Sequence, residues 1–471
     1  MSGLQLADIQ GFVLRRCPMP RKRDFLLKVT NPAAARSVIG RMVSGHESDA
    51  PQITTAAEGP SGREYCLQTG VTWHGLIALE VKDRVPSLSF KSFPAFVEGA
   101  ATRAEMLGEV ERSSPENWIV GFGKGDDHVL LTLYAISQQV LESCSERLAK
   151  LCATENAFRV LWRGDSAALH QMVDVNGVPT RVCKVHFGYV DGITDPTIDG
   201  APEPNLPDHQ QPCEPWLFVL LDEAPSYYVP DPPELGRNGS FGVFRVMQQD
   251  VVGFENFLQS HKDRIDPELL AAKICGRWRN GVPLALSPDT DSPPGGIKFE
   301  QLNDFDYVNE DWSGDPRGER CPIGAHIRRV NPRGQPIQGQ GRPGGSNNSH
   351  RILRRILPYG SSYVLGAPED GIERGLMGYF INASIENQFE FVMREWINAS
   401  EFVGAGRLHP KSKDLIAGGS RDSAESVLEI PQGEGAPPLT ITGFSRFVTT
   451  RASAYCFLPS ITALKFIANL Q

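Results

Sequence analysis

The sequence predicts an α+β fold made of two halves of similar build. Three observations point there. Short β-branched and aromatic runs alternate with single amphipathic stretches. A proline-rich segment divides the chain near its middle, and the same alternation then begins again.

In the first half, residues 24–30 read as a strand and 33–42 as a helix. Residues 72–81 read as a second strand and 128–135 as a third, β-branched and aromatic enough to be buried. From residue 137 a helix is expected, with Val140, Cys144, Leu148 and Leu151 recurring at helical spacing. Residues 181–187 read as a strand ending in a glycine-flanked turn. Five prolines between 201 and 215 then mark a linker, dividing a domain 1–205 from a domain 216–471. In the second half, 216–221 and 242–247 read as strands and 252–260 as a helix. A further strand (376–385) and helix follow. Gly339-Gln-Gly341-Arg-Pro-Gly344 matches a dinucleotide fingerprint in letters only: no apolar strand precedes it and Pro343 prevents a helix from opening. It reads as an exposed loop.

At 471 residues the chain has room for two or three domains. A 40% hydrophobic and 22% charged composition is that of a soluble globular protein. With 46 glycines and 36 prolines it does not suit a short-looped helical bundle. A net charge of −9 argues against general nucleic-acid binding, which needs a basic face. The nine cysteines are scattered, with no Cys-x-x-Cys, so neither structural zinc nor a disulfide framework is expected, and a reducing, cytoplasmic compartment fits. The N-terminal stretch lacks the basic and apolar regions of a signal peptide. No run approaches the roughly 18 apolar residues of a membrane span.

Three stretches could carry chemistry. Asp191 stands directly after a strand between Gly188 and Gly192. It is either an ordinary Asp-Gly turn or a carboxylate presented where glycines let a flat ligand approach. In Arg351-Ile-Leu-Arg-Arg-Ile-Leu-Pro-Tyr-Gly360, read as a strand, aliphatic residues lie on both faces. At least one arginine must then find an internal anion, either a structural partner or a site beside a cofactor. His326, in Cys321-Pro-Ile-Gly-Ala-His-Ile-Arg-Arg-Val-Asn-Pro-Arg333, is either a core histidine or a metal ligand, and its neighbours do not separate the two. Taken together, the three supply the parts of a haem peroxidase. A histidine would hold the iron on one side. On the other, an aspartate would move the peroxide proton and an arginine would offset charge on the departing oxygen.

The chain resembles the dye-decolourising (DyP-type) peroxidases over nearly its whole length. Gly188-Tyr-Val-Asp-Gly192 matches the family's GxxDG motif, residues 321–328 the segment of the proximal histidine, and Arg351 to Arg355 that of the distal arginine. Supporting blocks are residues 7–14, 92–96, 276–284 and 388–391. The resemblance implies two ferredoxin-like α+β domains. One haem b per chain would lie mainly in the second, capped by the first domain's loop through Gly188, Gly192 and Ile193. It implies Asp191 and Arg354 as catalytic residues, His326 as iron ligand, and Asp414 as the carboxylate behind that histidine. Arg328 and Arg333 are candidate partners for the haem propionates, Tyr359 a candidate electron relay, and Cys321 structural. Hydrogen peroxide and small aromatic reductants are the implied partners, with no nucleic acid or membrane. Gly378 stands where relatives often carry an aromatic residue, which predicts a more open pocket. Ile356 stands where some carry asparagine. The competing readings on the same fold are a haem carrier or sensor and an enzyme that removes iron from haem.

Overall fold

A computed structural model describes residues 3–46, 48–58, 62–175, 178–202, 212–222, 229–335, 348–400, 412–419, 426–433 and 435–470. The first half runs β1 (Arg21–Val29), helix Pro32–Ser44, β2 (Tyr65–Val71), β3 (Val129–Ala135), helix Gln138–Ala153 and β4 (Phe158–Ala167). Each long helix opens on a side-chain cap. The Asn31 amide oxygen accepts from the Ala34 N–H with Pro32 in the first turn, and the Ser137 hydroxyl accepts from the Val140 N–H. β2 and β3 are buried along their whole length, so they carry no polar alternation.

A hairpin of β5 (Leu169–Val175) and β6 (Val178–Lys184) follows, with the short β7 (Val190–Asp191) as third strand. The second half runs β8 (Ser240–Gln249), helix Val251–Ser260, β9 (Leu353–Tyr359) and β10 (Gly375–Asn382). Wide π-type turns over Ile385–Glu390 and Val392–Ile397 come next. A two-stranded pair, β11 (Leu428–Ile430) with β12 (Leu439–Ile441), precedes β13 (Val448–Leu458).

Among the described residues the large sheet has eight strands in the order β4-β1-β3-β2-β13-β8-β10-β9, all antiparallel. Each set of four has the order fourth-first-third-second, which is the ferredoxin-like arrangement of a βαββαβ unit. The fold is therefore α+β with two ferredoxin-like units, as the sequence implied. β2 and β13 join them through the Val71–Phe457 pair. The ladder's two ends, β4 and β9, lie against each other, so the sheet curls around a shared core. Phe12 meets Tyr379 edge-on at 5.4 Å, and Phe122 stacks on Phe244 at 5.8 Å.

Two expected strands are corrected. Residues 72–81 are helical (Trp73–Ala78, then Val81–Arg84) because the Thr72 hydroxyl accepts from the Gly75 N–H and starts a turn. The strand is the preceding β2, whose buried Gln68 and Thr69 hid it. At 216–221, Pro215 opens a short 3₁₀ turn through Leu217 in place of a strand. Most of the expected linker, and the whole 339–344 loop, lie outside the described residues.

Candidate active site

A cavity of about 330 Å³ opens between the second half and the loop that follows β6. Its lining includes His326, Ile327, Ile416 and Ala417, together with Asp191, Gly192, Ile193, Arg354, Ile356, Leu376 and Phe380.

His326 is the first residue of the short helix His326–Val330, entered through a turn in which the Ala325 N–H donates to the Pro322 carbonyl. Its Nδ1 donates to Asp414 Oδ2 at 2.8 Å. Asp414 is fully buried, and its Oδ1 accepts from the Ile416 and Ala417 N–H groups, each at 2.8 Å. Burial alone pushes the Asp414 carboxyl up. His326, those backbone donors and Arg329 outweigh it and hold the group below its ordinary value. With Nδ1 committed to a carboxylate, Nε2 is the nitrogen available on the cavity side.

Asp191 ends the little β5-β6-β7 sheet, directly across from Cys183. The turn before it is closed by the Gly188 N–H to the Val185 carbonyl at 2.9 Å, and both Gly188 and Gly192 take positive φ, +88° and +83°. On β9, alternate side chains separate: Arg354 and Ile356 turn to the cavity while Arg355 points away. Arg354 donates to Asp191 Oδ1 at 2.9 Å. Burial, the largest single influence, pushes the Asp191 carboxyl up. The Arg354 and Arg16 guanidiniums, the Gly192 N–H and the Arg354 hydrogen bond together hold it below the usual carboxylate value. Of the two β9 arginines Arg355 is the buried one, and it finds the anion that burial requires in Asp195.

Other expected residues fall differently. Arg333 borders the cavity, donating to the Asn303 and Phe305 carbonyls at 2.8 and 3.3 Å. Arg328 does not: fully buried, it bonds Asp315 at 2.9 Å and the Cys321 carbonyl at 2.6 Å and lies over the Tyr307 ring. It braces the turn before His326, so a propionate contact does not suit its position. Cys321 is buried off the cavity lining, and burial pushes its thiol up to about 12. Gly188 packs under Arg279. Tyr359, half-buried and outside the cavity, donates its hydroxyl to Glu373 at 3.0 Å. Gly378 does not leave the wall without an aromatic ring, because Phe380 supplies one two residues on. Sequence reasoning missed Arg16, Asp195 and the buried Arg277 at the cavity edge. Only the pair of adjacent arginines hinted at a second acid.

No family model matches the chain. A dye-decolorizing peroxidase of Mycena epipterygia is 29% identical over 494 residues, 99% of this chain and 87% of that protein. Fungal relatives of the same kind from Mycetinis scorodonius, Exidia glandulosa and Auricularia auricula-judae match at 24 to 27%. Over nearly its whole length the chain is similar to dye-decolorizing peroxidases. The crystal structure of a fungal DyP-type peroxidase from Auricularia auricula-judae superposes with a TM-score of 0.81 at 21% identity, covering 99% of this chain and all of that one. A dye-decolorizing peroxidase in complex with 2,6-dimethoxyphenol superposes at 0.78 and 23% identity, over 99% of this chain.

Dye-decolorizing peroxidases are oxidoreductases that use peroxide, and the family is haem-dependent. The residues here fit such a group. A histidine with its far nitrogen tied to a buried carboxylate is a usual way to present an iron ligand. Arg277 and Arg333 also line the cavity, cationic groups of the kind that the acidic edge of a haem would meet.

Proposed function

We propose that this protein is a dye-decolorizing peroxidase, a haem b enzyme that reduces hydrogen peroxide and oxidises aromatic dyes and phenols in one-electron steps. The observation that carries the reading is one cavity lined both by a carboxylate-backed histidine and by an acid–arginine pair. The haem, when bound, accepts two oxidising equivalents from peroxide and returns them singly to the reductant.

His326 would hold the iron through its Nε2 lone pair, and the Asp414 carboxylate at Nδ1 would make the imidazole the stronger donor. Asp191, ionised at rest, takes the first proton of the incoming peroxide and delivers it to the outer oxygen, which leaves as water. Arg354 offsets the negative charge growing on that oxygen. Gly192 and Ile193 would lie over the cofactor, with Gly188 shaping the turn that carries them, and Arg333 would be the residue available to a propionate. Tyr359 is an electron relay for reductants too bulky to enter. The domain division at 205–216 belongs to the same reading. The phenol held by one solved relative supports the reductant class. All nine cysteines are free thiols, which supports a reducing, cytoplasmic location. No helix among the described residues is long and apolar enough to cross a membrane.

A pyridine haemochrome assay of the purified protein, followed by peroxide and a phenolic dye, tests this directly. One haem b per chain and dye oxidation dependent on peroxide are expected. His326→Ala loses most of the haem and its absorbance band. An unchanged ferric haem spectrum in that variant would remove His326 as ligand. Haem binding without dye oxidation favours the carrier, and iron-free porphyrin as product favours the iron-releasing enzyme.

A further inference from the structure

Arg354 and Arg355 are consecutive on β9 and point to opposite faces, yet both reach carboxylates of the same short loop. Arg354 bonds Asp191 on the cavity side at 2.9 Å. Arg355, buried on the other side, reaches Asp195 at 3.3 Å. It also donates to the Phe12 and Arg354 carbonyls at 2.6 and 3.0 Å. A third guanidinium comes from the N-terminal segment: Arg16 donates through Nε to the Asp195 carboxylate. Its Nη1 lies 2.6 Å from where a Cβ on Gly192 would sit, so it rests on the residue that follows Asp191. The other Asp195 oxygen is buried without a hydrogen-bond partner.

Arg16 is therefore shared between two acids, bonded to one and adjacent to the other. From the geometry we infer that Arg16 and Asp195 are positioning residues for the peroxide step, with Asp195 holding Arg16 beside Asp191 but not on it. This rests on Asp191 being the acid–base residue. The groups facing Asp191 are Arg354 from β9, Arg16 from the N-terminal segment and the Cys183 thiol across the β6-β7 pair. Asp195 acts by holding Arg16, and Arg355 by holding Asp195. Burial raises the Cys183 pKa, so that thiol is neutral. Arg16 near Asp191 keeps the carboxylate ionised. Arg16 directly on Asp191 would pair it with a second guanidinium and make it a poor proton acceptor.

The two removals then have opposite signs, which a merely structural role would not produce. In Arg16→Gln holoenzyme, the acid limb of the peroxide reaction, followed by stopped-flow absorbance, moves up by about 1 pH unit. Arg16→Lys stays near the parent. In Asp195→Asn the limb moves down, and the reaction slows several-fold near neutral pH. Infrared difference spectra of the holoenzyme should show the protonated-carboxyl band that is absent in Asp191→Asn titrating with the same displaced midpoints. Shifts of the same sign, or Arg16→Lys behaving like Arg16→Gln, would overturn the inference. If Asp195→Asn does not fold, the Gln–Lys contrast at Arg16 still decides. A limb that persists in Asp191→Asn removes the acid–base reading itself. A limb lost there but unmoved in the Arg16 and Asp195 variants removes only this inference.

Discussion

A carboxyl group is useful as a proton acceptor only while it is ionised, and Asp191 is set for that by its neighbours. An unperturbed aspartate titrates at about 3.9, and Arg354 with Arg16 holds Asp191 lower despite burial. The ionised fraction falls only as pH drops through the folded-state pKa. The peroxide reaction should therefore run level from neutrality to below about pH 4 and decline only under that. An acid limb centred above about pH 5 would contradict it. Asp191→Asn should slow the same step by about 10²–10⁴-fold, the usual share of a positioned acid–base group. Stopped-flow rates against pH, parent beside variant, decide both. His326 shows how little one residue says alone. Its neighbours suit a core histidine equally well, and only Asp414, 88 residues away, commits its Nδ1.

At the scale of elements, strand alternation does much of the sorting. β9 sends Arg354 inward and Arg355 outward, and β10 does the same with Leu376 and Phe380 against Met377 and Tyr379. Gly378 shows where alternation stops being enough. Its φ of +148° and a Cβ position only 2.1 Å from the Arg355 carbonyl mean that the backbone there excludes any side chain. Gly378→Ala should not simply narrow the cavity. It should push β9, and Arg354 with it, and destabilise the protein by about 1–3 kcal/mol. Thermal unfolding and peroxide kinetics of that variant check this, and a parent-like melting point with parent-like rates would count against it. The misread segments have similar local causes. Thr72 caps a turn within one apolar run and Pro215 opens one at the head of another, so local turn chemistry overrode periodicity.

At the scale of the whole molecule, the two ferredoxin-like units are not separable bodies. One hydrophobic core runs from Phe12 and Leu26 in the first to Phe244 and Tyr379 in the second. Lys22 Nζ donates to the Met377 carbonyl at 2.8 Å. After β13, the final helix Ile461–Ala468 returns to pack on helix Pro32–Ser44 of the first unit, with Ala468 Cβ 3.2 Å from where a Cβ on Gly40 would lie. Calorimetry of the haem-free protein should therefore give one cooperative transition for both units. Two resolved transitions would mean that the shared core does not couple them.

The sequence by itself determined the fold class, the doubled α+β pattern and, through short motifs in order, the residues worth watching: Asp191, His326, Arg354 and Asp414. The fold pattern was legible because hydrophobic period and glycine placement are local properties, whereas His326 and Asp414 stood out only through the family resemblance. The tertiary structure alone decided which arginines meet the cavity. It turned Arg328 inward to brace a turn, left Arg333 at the rim, and brought Arg16 from the N-terminal segment and Arg355 from β9 to Asp195 on the loop that carries Asp191. The physical reason is that a buried charge takes its partner from wherever the fold brings one, and no local pattern in the chain records that distance.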